Sequence, residues 1–252
     1  MISPYWSDGT VSLYLGDCRE VLPALGVTAD CIVADPPYEA RGLHLVWDRW
    51  PDGWLDIAAQ VTRSLWCFGA LRLFGERWQD FRSWRFGHDI AWEKQNGSGF
   101  AADRFKCVHE MAAHWYRGDW RTIYHQVPRD AVLGDRRQRN RHGGAHTRQQ
   151  HTGEIGAGPD YDASSRLARS VVRVRNMNGR ALHPTEKPVG ILDPLISYAC
   201  PPGGLVIDPF AGSGSTLDAA RCSGRRAIGI EADEKYIELA ARRLSQQAMV
   251  AG

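Results

Sequence analysis

The sequence predicts an α/β fold with a parallel sheet covered by helices on both faces. Three observations carry this. Strand-like and helix-like segments alternate near both ends of the chain. Two of the strands run into Asp-Pro turns, at Asp35-Pro36-Pro37-Tyr38 and at Asp208-Pro209-Phe210-Ala211-Gly212-Ser213-Gly214-Ser215. The length, 252 residues, is enough to bury a full core of this kind.

In chain order, Val11–Leu15 reads as a strand and Arg19–Leu25 as a short helix with Asp17 as its N-cap. Cys31–Ala34 is a short apolar strand that stops at the double proline, where a ladder hydrogen bond is lost and φ is fixed. Leu65–Phe74, Asp89–Trp92 and Met111–Tyr116 read as further strands. Residues 119–182 have a different texture. Between Arg117 and Arg180 there are 13 arginines and 6 acidic residues, and no hydrophobic period is sustained from Arg129 to Ser165, which predicts long loops. The α/β texture then returns. Val189–Ala199 is a predicted helix and Gly204–Ile207 a strand, and a helix runs to about Cys222. Ala227–Ile230 is a strand ending at Glu231. The apolar positions Tyr236, Ile237, Ala240, Ala241 and Leu244 then mark one face of a last helix capped by Asp233.

Bulk composition excludes several classes. Hydrophobic residues make up 43% and charged residues 24%, ordinary values for a globular chain. The net charge of +2 does not by itself signal a nucleic-acid binder, although a local basic surface is compatible with it. Six cysteines are scattered without a C-x-x-C pair, against both a zinc site and a disulfide framework. The opening residues do not form a signal peptide, and no run reaches the roughly 18 apolar residues of a membrane helix. A cytoplasmic protein without metal or membrane attachment is the expectation.

Several strand ends carry the candidate chemistry. The loop Phe210-Ala211-Gly212-Ser213-Gly214 follows a strand and opens a helix, so its glycines permit a tight turn and close approach of a ligand. Alone it is also an ordinary turn. Glu231, at the end of the next strand, is placed to accept hydrogen bonds from ribose hydroxyls. The third glycine of the dinucleotide spacing is missing, with Leu217 in its place. Asp17 lies at a third strand end, available to a ligand amine as well as to its own helix. At Asp35-Pro36-Pro37-Tyr38 a carboxylate and an aromatic ring are held by a stiff turn, an arrangement suited to gripping a flat group and also to plain strand termination. His44, Trp47, Asp48 and Trp50 follow. They read as a loop closing over such a group, or, for the tryptophans, as core.

Taken together these motifs resemble the beta group of DNA amino-methyltransferases, in which the catalytic motif precedes the cofactor motif. The resemblance covers nearly the whole chain. It rests on Gly16-Asp17-Cys18, Asp35-Pro36-Pro37-Tyr38, Trp92-Glu93-Lys94 with Arg104 and His109-Glu110, His183-Pro184-Thr185-Glu186-Lys187-Pro188, and Asp208 through Thr216 followed by Glu231. It implies a seven-stranded Rossmann-like methyltransferase sheet with one antiparallel strand, in circularly permuted motif order. Residues 1–118 and 183–252 would form the catalytic and cofactor domain, and 119–182 an inserted target-recognition region. S-adenosylmethionine is the implied cofactor, contacted by Asp17, Lys187, Asp208, Phe210, Ala211, Gly212, Ser213, Gly214, Ser215 and Glu231. Double-stranded DNA is the implied partner, with a homodimer common in the group.

The implied chemistry fits the residues. Asp35 and the Pro36 carbonyl would accept the two N–H bonds of an exocyclic base amine and localise its lone pair for in-line attack, while Tyr38 stacks on the flipped base. Asp35 favours adenine N6 over cytosine N4, because the cytosine enzymes often carry serine at that position. Arg136, Arg137, Arg139 and Arg141 are the candidate DNA contacts. Cytosine-N4 methylation, RNA methylation and a non-catalytic DNA-binding module are the alternatives.

Overall fold

The computed structural model describes residues 2–37, 49–98, 103, 105–131, 165–175 and 186–248. Contacts divide the chain into a larger unit, Met1–Gln126 with Ser170–Gly252, and a smaller one, Val127–Arg169.

The larger unit is built on one mixed sheet. In chain order its strands are β1 (Trp6–Ser7), β2 (Val11–Leu15), β3 (Cys31–Ala34), β4 (Ser64–Gly69), β5 (Arg85–Ser98) and β6 (Cys107–Tyr116), then β9 (Val171–Arg173), β10 (Leu205–Asp208) and β11 (Arg226–Glu231). They lie in the order β1-β2-β11-β10-β3-β4-β6-β5-β9. Seven of them, β2 to β5 in that spatial row, match the expected methyltransferase sheet; β1 and β9 extend it at the edges. The expected antiparallel strand is β6, which runs against both neighbours. The smaller unit contains β7 (Arg129–Ala131) paired antiparallel with β8 (Ser165–Leu167).

Period-two alternation of the strands sorts their side chains onto the two faces. Cys31 and Val33 join one core with Trp66, Phe68 and Val206, under α4 (Val189–Ala199), α5 (Ser215–Cys222) and α6 (Glu234–Ala248). Ile32 and Ala34 join the other with Leu65, Cys67 and Ile207, under α1 (Cys18–Leu25), α2 (Trp54–Val61) and α3 (Leu71–Glu76). Burial on both faces is why these strands read as continuous apolar runs.

Three expectations change. The predicted strand Leu65–Phe74 ends at Gly69, and Leu71–Glu76 is a helix. A Cβ at Gly69 would stand 2.6 Å from Leu73 Cδ2, so the missing side chain lets the helix fold straight back onto the strand. A short apolar run does not separate strand from buried helix by periodicity. Helix α2 and the 3-10 turn Trp78–Phe81 fall where no element is expected. Residues 119–126 and 170–175, expected in the insertion, belong to the larger unit. The cap at Asp17 is present, with its carboxylate accepting from Arg19 N at 2.8 Å. Asp233 caps the last helix by accepting from Lys235 N at 2.8 Å.

Candidate active site

Chain direction across the sheet creates the site. From β10 the chain passes through α5 on one face to β11. From β3 it passes through α2 on the other face to β4, so the strand order reverses between β10 and β3. Register pairs Val206 with Cys31 and Ile207 with Ile32, which sets Asp208 and Asp35 at the carboxyl ends of adjacent strands. A crevice opens at such a switch point. Here it is a cavity of about 410 Å³.

Its lining joins pieces far apart in sequence. Asp17, Asp35, Pro36, Pro37, Arg49, Pro51, Glu186, Lys187, Asp208, Phe210, Ala211, Gly212, Ser213, Ser215, Glu231, Asp233 and Tyr236 all contribute. Among the described residues, six acidic side chains face two basic ones, Arg49 and Lys187. That balance favours a cationic ligand over the pyrophosphate of a dinucleotide.

The loop after β10 is shaped by left-handed glycines at Gly212 (φ 51°) and Gly214 (φ 77°), the latter at the entry to α5. Glu231 locks it. Its Oε2 accepts from Gly212 N at 2.7 Å and its Oε1 from Asp233 N at 2.9 Å, so each oxygen has a further lone pair for a hydroxyl. Burial raises the Glu231 pKa against the backbone amides of Asp233, Gly212 and Ala232. Asp208 accepts from Phe210 N at 3.0 Å, and burial pushes its carboxyl up to about 7 despite bonds from Thr216 and Phe210. Phe210 packs edge-on against Trp54 at 5.1 Å, which anchors the ring beside the cavity. Asp17 is held by Arg19 through Nε at 3.0 Å and Nη2 at 2.6 Å, and this pairing lowers its pKa.

The Asp35 carboxylate is divided between two environments. Oδ2 receives Lys187 Nζ at 2.5 Å. Oδ1 is buried with no hydrogen-bond partner among the described residues. Burial raises its pKa to about 6, against the opposing charge of Lys187 and with Glu110 adding to the rise. Lys187 Nζ also lies 3.0 Å from Glu110 Oε1, and Lys94 Nζ lies 2.6 Å from Glu110 Oε2.

The structure thus brings Asp17, Asp35, Pro36, Pro37, Lys187, Asp208, Phe210 to Ser213, Ser215 and Glu231 around one cavity, with Gly214 in the same loop. Tyr38, His44, Trp47, Asp48, Arg104, His183 to Thr185, and Arg136, Arg137, Arg139 and Arg141 lie outside the described residues. Trp50 is core, packed on Trp54 and Phe81. Sequence reasoning had placed Lys94 and Glu110 only within a motif. Their meeting depends on antiparallel register, in which Trp92 opposes Glu110 across β5 and β6, and no spacing reveals that. Arg49, Pro51 and Tyr236 were also missed as lining residues.

Fold and crevice together define a doubly wound α/β protein with a crevice at its switch point. Residues 29–242 match the family described as DNA methylase, the N6/N4 methyltransferases, and the chain belongs to that family of DNA amino-methyltransferases. Among curated relatives it is 26% identical to the type II methyltransferase M.HinfI of Haemophilus influenzae, over 92% of this chain and 67% of that one. It is 29% identical to the putative methylase YubD of Escherichia coli, over 94% and 92%. Among solved structures, the M1.HpyAVI–SAM complex superposes with a TM-score of 0.62 at 20% identity, over 92% of this chain and 99% of that one. The cytosine-N4-specific PvuII DNA methyltransferase superposes at 0.60 and 17%, over 95% and 88%. Among the described residues no helix is long and apolar enough to cross a membrane, and no His, Cys, Asp or Glu group is arranged to hold a metal.

Proposed function

We propose that this chain transfers a methyl group from S-adenosylmethionine to the N6 amine of an adenine flipped out of double-stranded DNA. The observation that carries the reading is the Asp35 carboxylate at the crevice. One oxygen is fixed by Lys187, and the other is buried with no partner among the described residues, leaving it able to accept a new donor. The cavity's excess of carboxylates suits a cofactor that bears a sulfonium and an ammonium group.

Bound there, S-adenosylmethionine supplies an activated methyl group. Glu231 takes the ribose hydroxyls with its remaining lone pairs, and Asp17 meets the cofactor adenine amine. Lys187, Asp208, Phe210, Ala211, Gly212, Ser213 and Ser215, with Gly214 shaping their loop, would hold the rest of the cofactor. Asp35 Oδ1 and the Pro36 carbonyl receive the N–H bonds of the target amine and draw its lone pair out of ring conjugation. Pro37 stiffens the turn, and Tyr38 stacks on the base. With its pKa raised to about 6, Asp35 is a stronger proton acceptor than an ordinary carboxylate, and its ionised form predominates above that pH. Flipping the base costs about a few kcal/mol. The basic stretch within residues 127–169, with Arg136, Arg137, Arg139 and Arg141, is the target-recognition region that offsets it through phosphate contacts.

Aspartate rather than serine at position 35 supports adenine over cytosine. The fold does not separate the two, since a cytosine-N4-specific enzyme superposes with a TM-score of 0.60. The test is nucleoside mass spectrometry on unmethylated DNA incubated with the chain and S-adenosylmethionine, beside Asp35→Ala. N6-methyladenine that disappears in the variant supports the reading. N4-methylcytosine overturns the choice of base, and no modified base on DNA moves the search to RNA.

A further inference from the structure

A line of alternating charges runs from Asp35 and Lys187, which line the cavity, to Glu110 and Lys94, which do not. Asp35 Oδ2 holds Lys187 at 2.5 Å, Lys187 holds Glu110 at 3.0 Å, and Glu110 holds Lys94 at 2.6 Å. Lys187 and Glu110 are buried, with side chains 7% and 6% exposed, while Lys94 reaches the surface at 24%. Lys187 lies over the Phe68 ring at 5.0 Å and Lys94 over Trp92 at 4.8 Å. Trp92 is itself fixed by a bond from Nε1 to Val174 O at 2.9 Å. Glu110 and Lys94 do not line the cavity.

Two carboxylates and two ammonium groups sum to zero charge. Burying them costs desolvation, and apolar residues at the same places would often serve stability as well or better. The arrangement acts on the reacting carboxylate instead. Lys187 alone would pin Asp35 and quench its basicity. Glu110 draws on the same ammonium and restores the negative potential at Asp35, and Lys94 limits how far Glu110 does so.

We propose that Glu110 and Lys94 are positioning residues that set the proton affinity of Asp35 through Lys187, Glu110 raising it and Lys94 lowering it. This rests on Asp35 being the group that receives the target amine. Among the described residues, the Cys67 thiol and the Asp208 carboxyl also sense Asp35, and the variants below leave both in place.

The test is a carbon-13 NMR titration of the aspartate carboxyls in the full chain, with the Asp35 signal identified by its loss in Asp35→Asn. Glu110→Gln should lower the Asp35 midpoint by about one pH unit, Lys94→Met should raise it by about as much, and Glu110→Asp should restore it. The acid limb of the single-turnover methylation rate should move in the same two directions, with S-adenosylmethionine affinity within about threefold of the parent. Midpoints that stay in place, or move the same way in both variants, overturn the proposal. If Glu110→Gln does not fold, Lys94→Met at the more exposed end decides it. A parent chain that methylates no base would defeat the proposed function, whereas the titration would still decide the charge coupling.

Discussion

Replacing Asp208 by Asn should make the protein more stable at alkaline pH and leave it a poorer binder of a cationic cofactor. Asp208 is 3% exposed, and burial raises its carboxyl from 3.8 to about 7. A carboxyl whose folded pKa is raised destabilises the fold as pH climbs from the unfolded value to the folded one, because the unfolded chain releases its proton first. Below pH 3.8 there is no cost. Above pH 7 the full cost is about 4 kcal/mol, at about 1.4 kcal/mol per pH unit of displacement. Asn keeps an acceptor for Phe210 N. Its NH2 group needs a partner and costs about 1–3 kcal/mol if it finds none, but that penalty does not vary with pH.

The pH dependence is therefore the clean readout. Between pH 4 and pH 8 the stability of Asp208→Asn relative to the parent should rise by about 3–4 kcal/mol. At about 2–4 °C per kcal/mol for a chain of this size, the two melting curves should diverge by roughly 10 °C. The assay is thermal unfolding by circular dichroism across that range without cofactor, followed by calorimetric titration of S-adenosylmethionine at pH 8. Curves that stay parallel would refute the argument, since they would mean that Asp208 is ionised in the folded state at no cost.

Other outcomes are expected. Glu231→Ala removes the acceptor of both Gly212 N and Asp233 N and should weaken S-adenosylmethionine binding by about tenfold or more, read by calorimetry; an unchanged Kd would remove the ribose role. Gly229→Ala places a Cβ into Leu217 and 3.0 Å from Ala211 and Leu13, so it should cost about 1–3 kcal/mol in denaturant unfolding and loosen the cofactor loop at Ala211. Neutralising Arg136, Arg137, Arg139 and Arg141 together should weaken DNA binding and flatten its dependence on salt; an unchanged slope would mean that these side chains do not touch phosphate.

The strand-turn motifs were legible because each is local. Asp35-Pro36-Pro37 ends β3 through proline chemistry, and Gly212 and Gly214 bend the loop after β10 because they alone tolerate its positive φ. Asp17 and Asp233 announced their helices by the same short-range hydrogen bonding that the structure contains. The boundary at Gly69 was not legible. Leu65–Phe74 is mostly apolar on both sides of the boundary, and only close packing of Leu73 on Gly69 says where strand stops and helix begins.

What the sequence by itself determined is the set of chemical groups and the turns that present them: carboxylates at four strand ends, a glycine loop and a rigid double proline. Tertiary structure decided how those groups act on one another. The reversal of strand order between β10 and β3 brings Asp208 beside Asp35, and the antiparallel register of β5 and β6 sets Lys94 and Glu110 behind Lys187. Charges interact through space and according to burial, and neither separation nor burial is written in the spacing of residues along a chain.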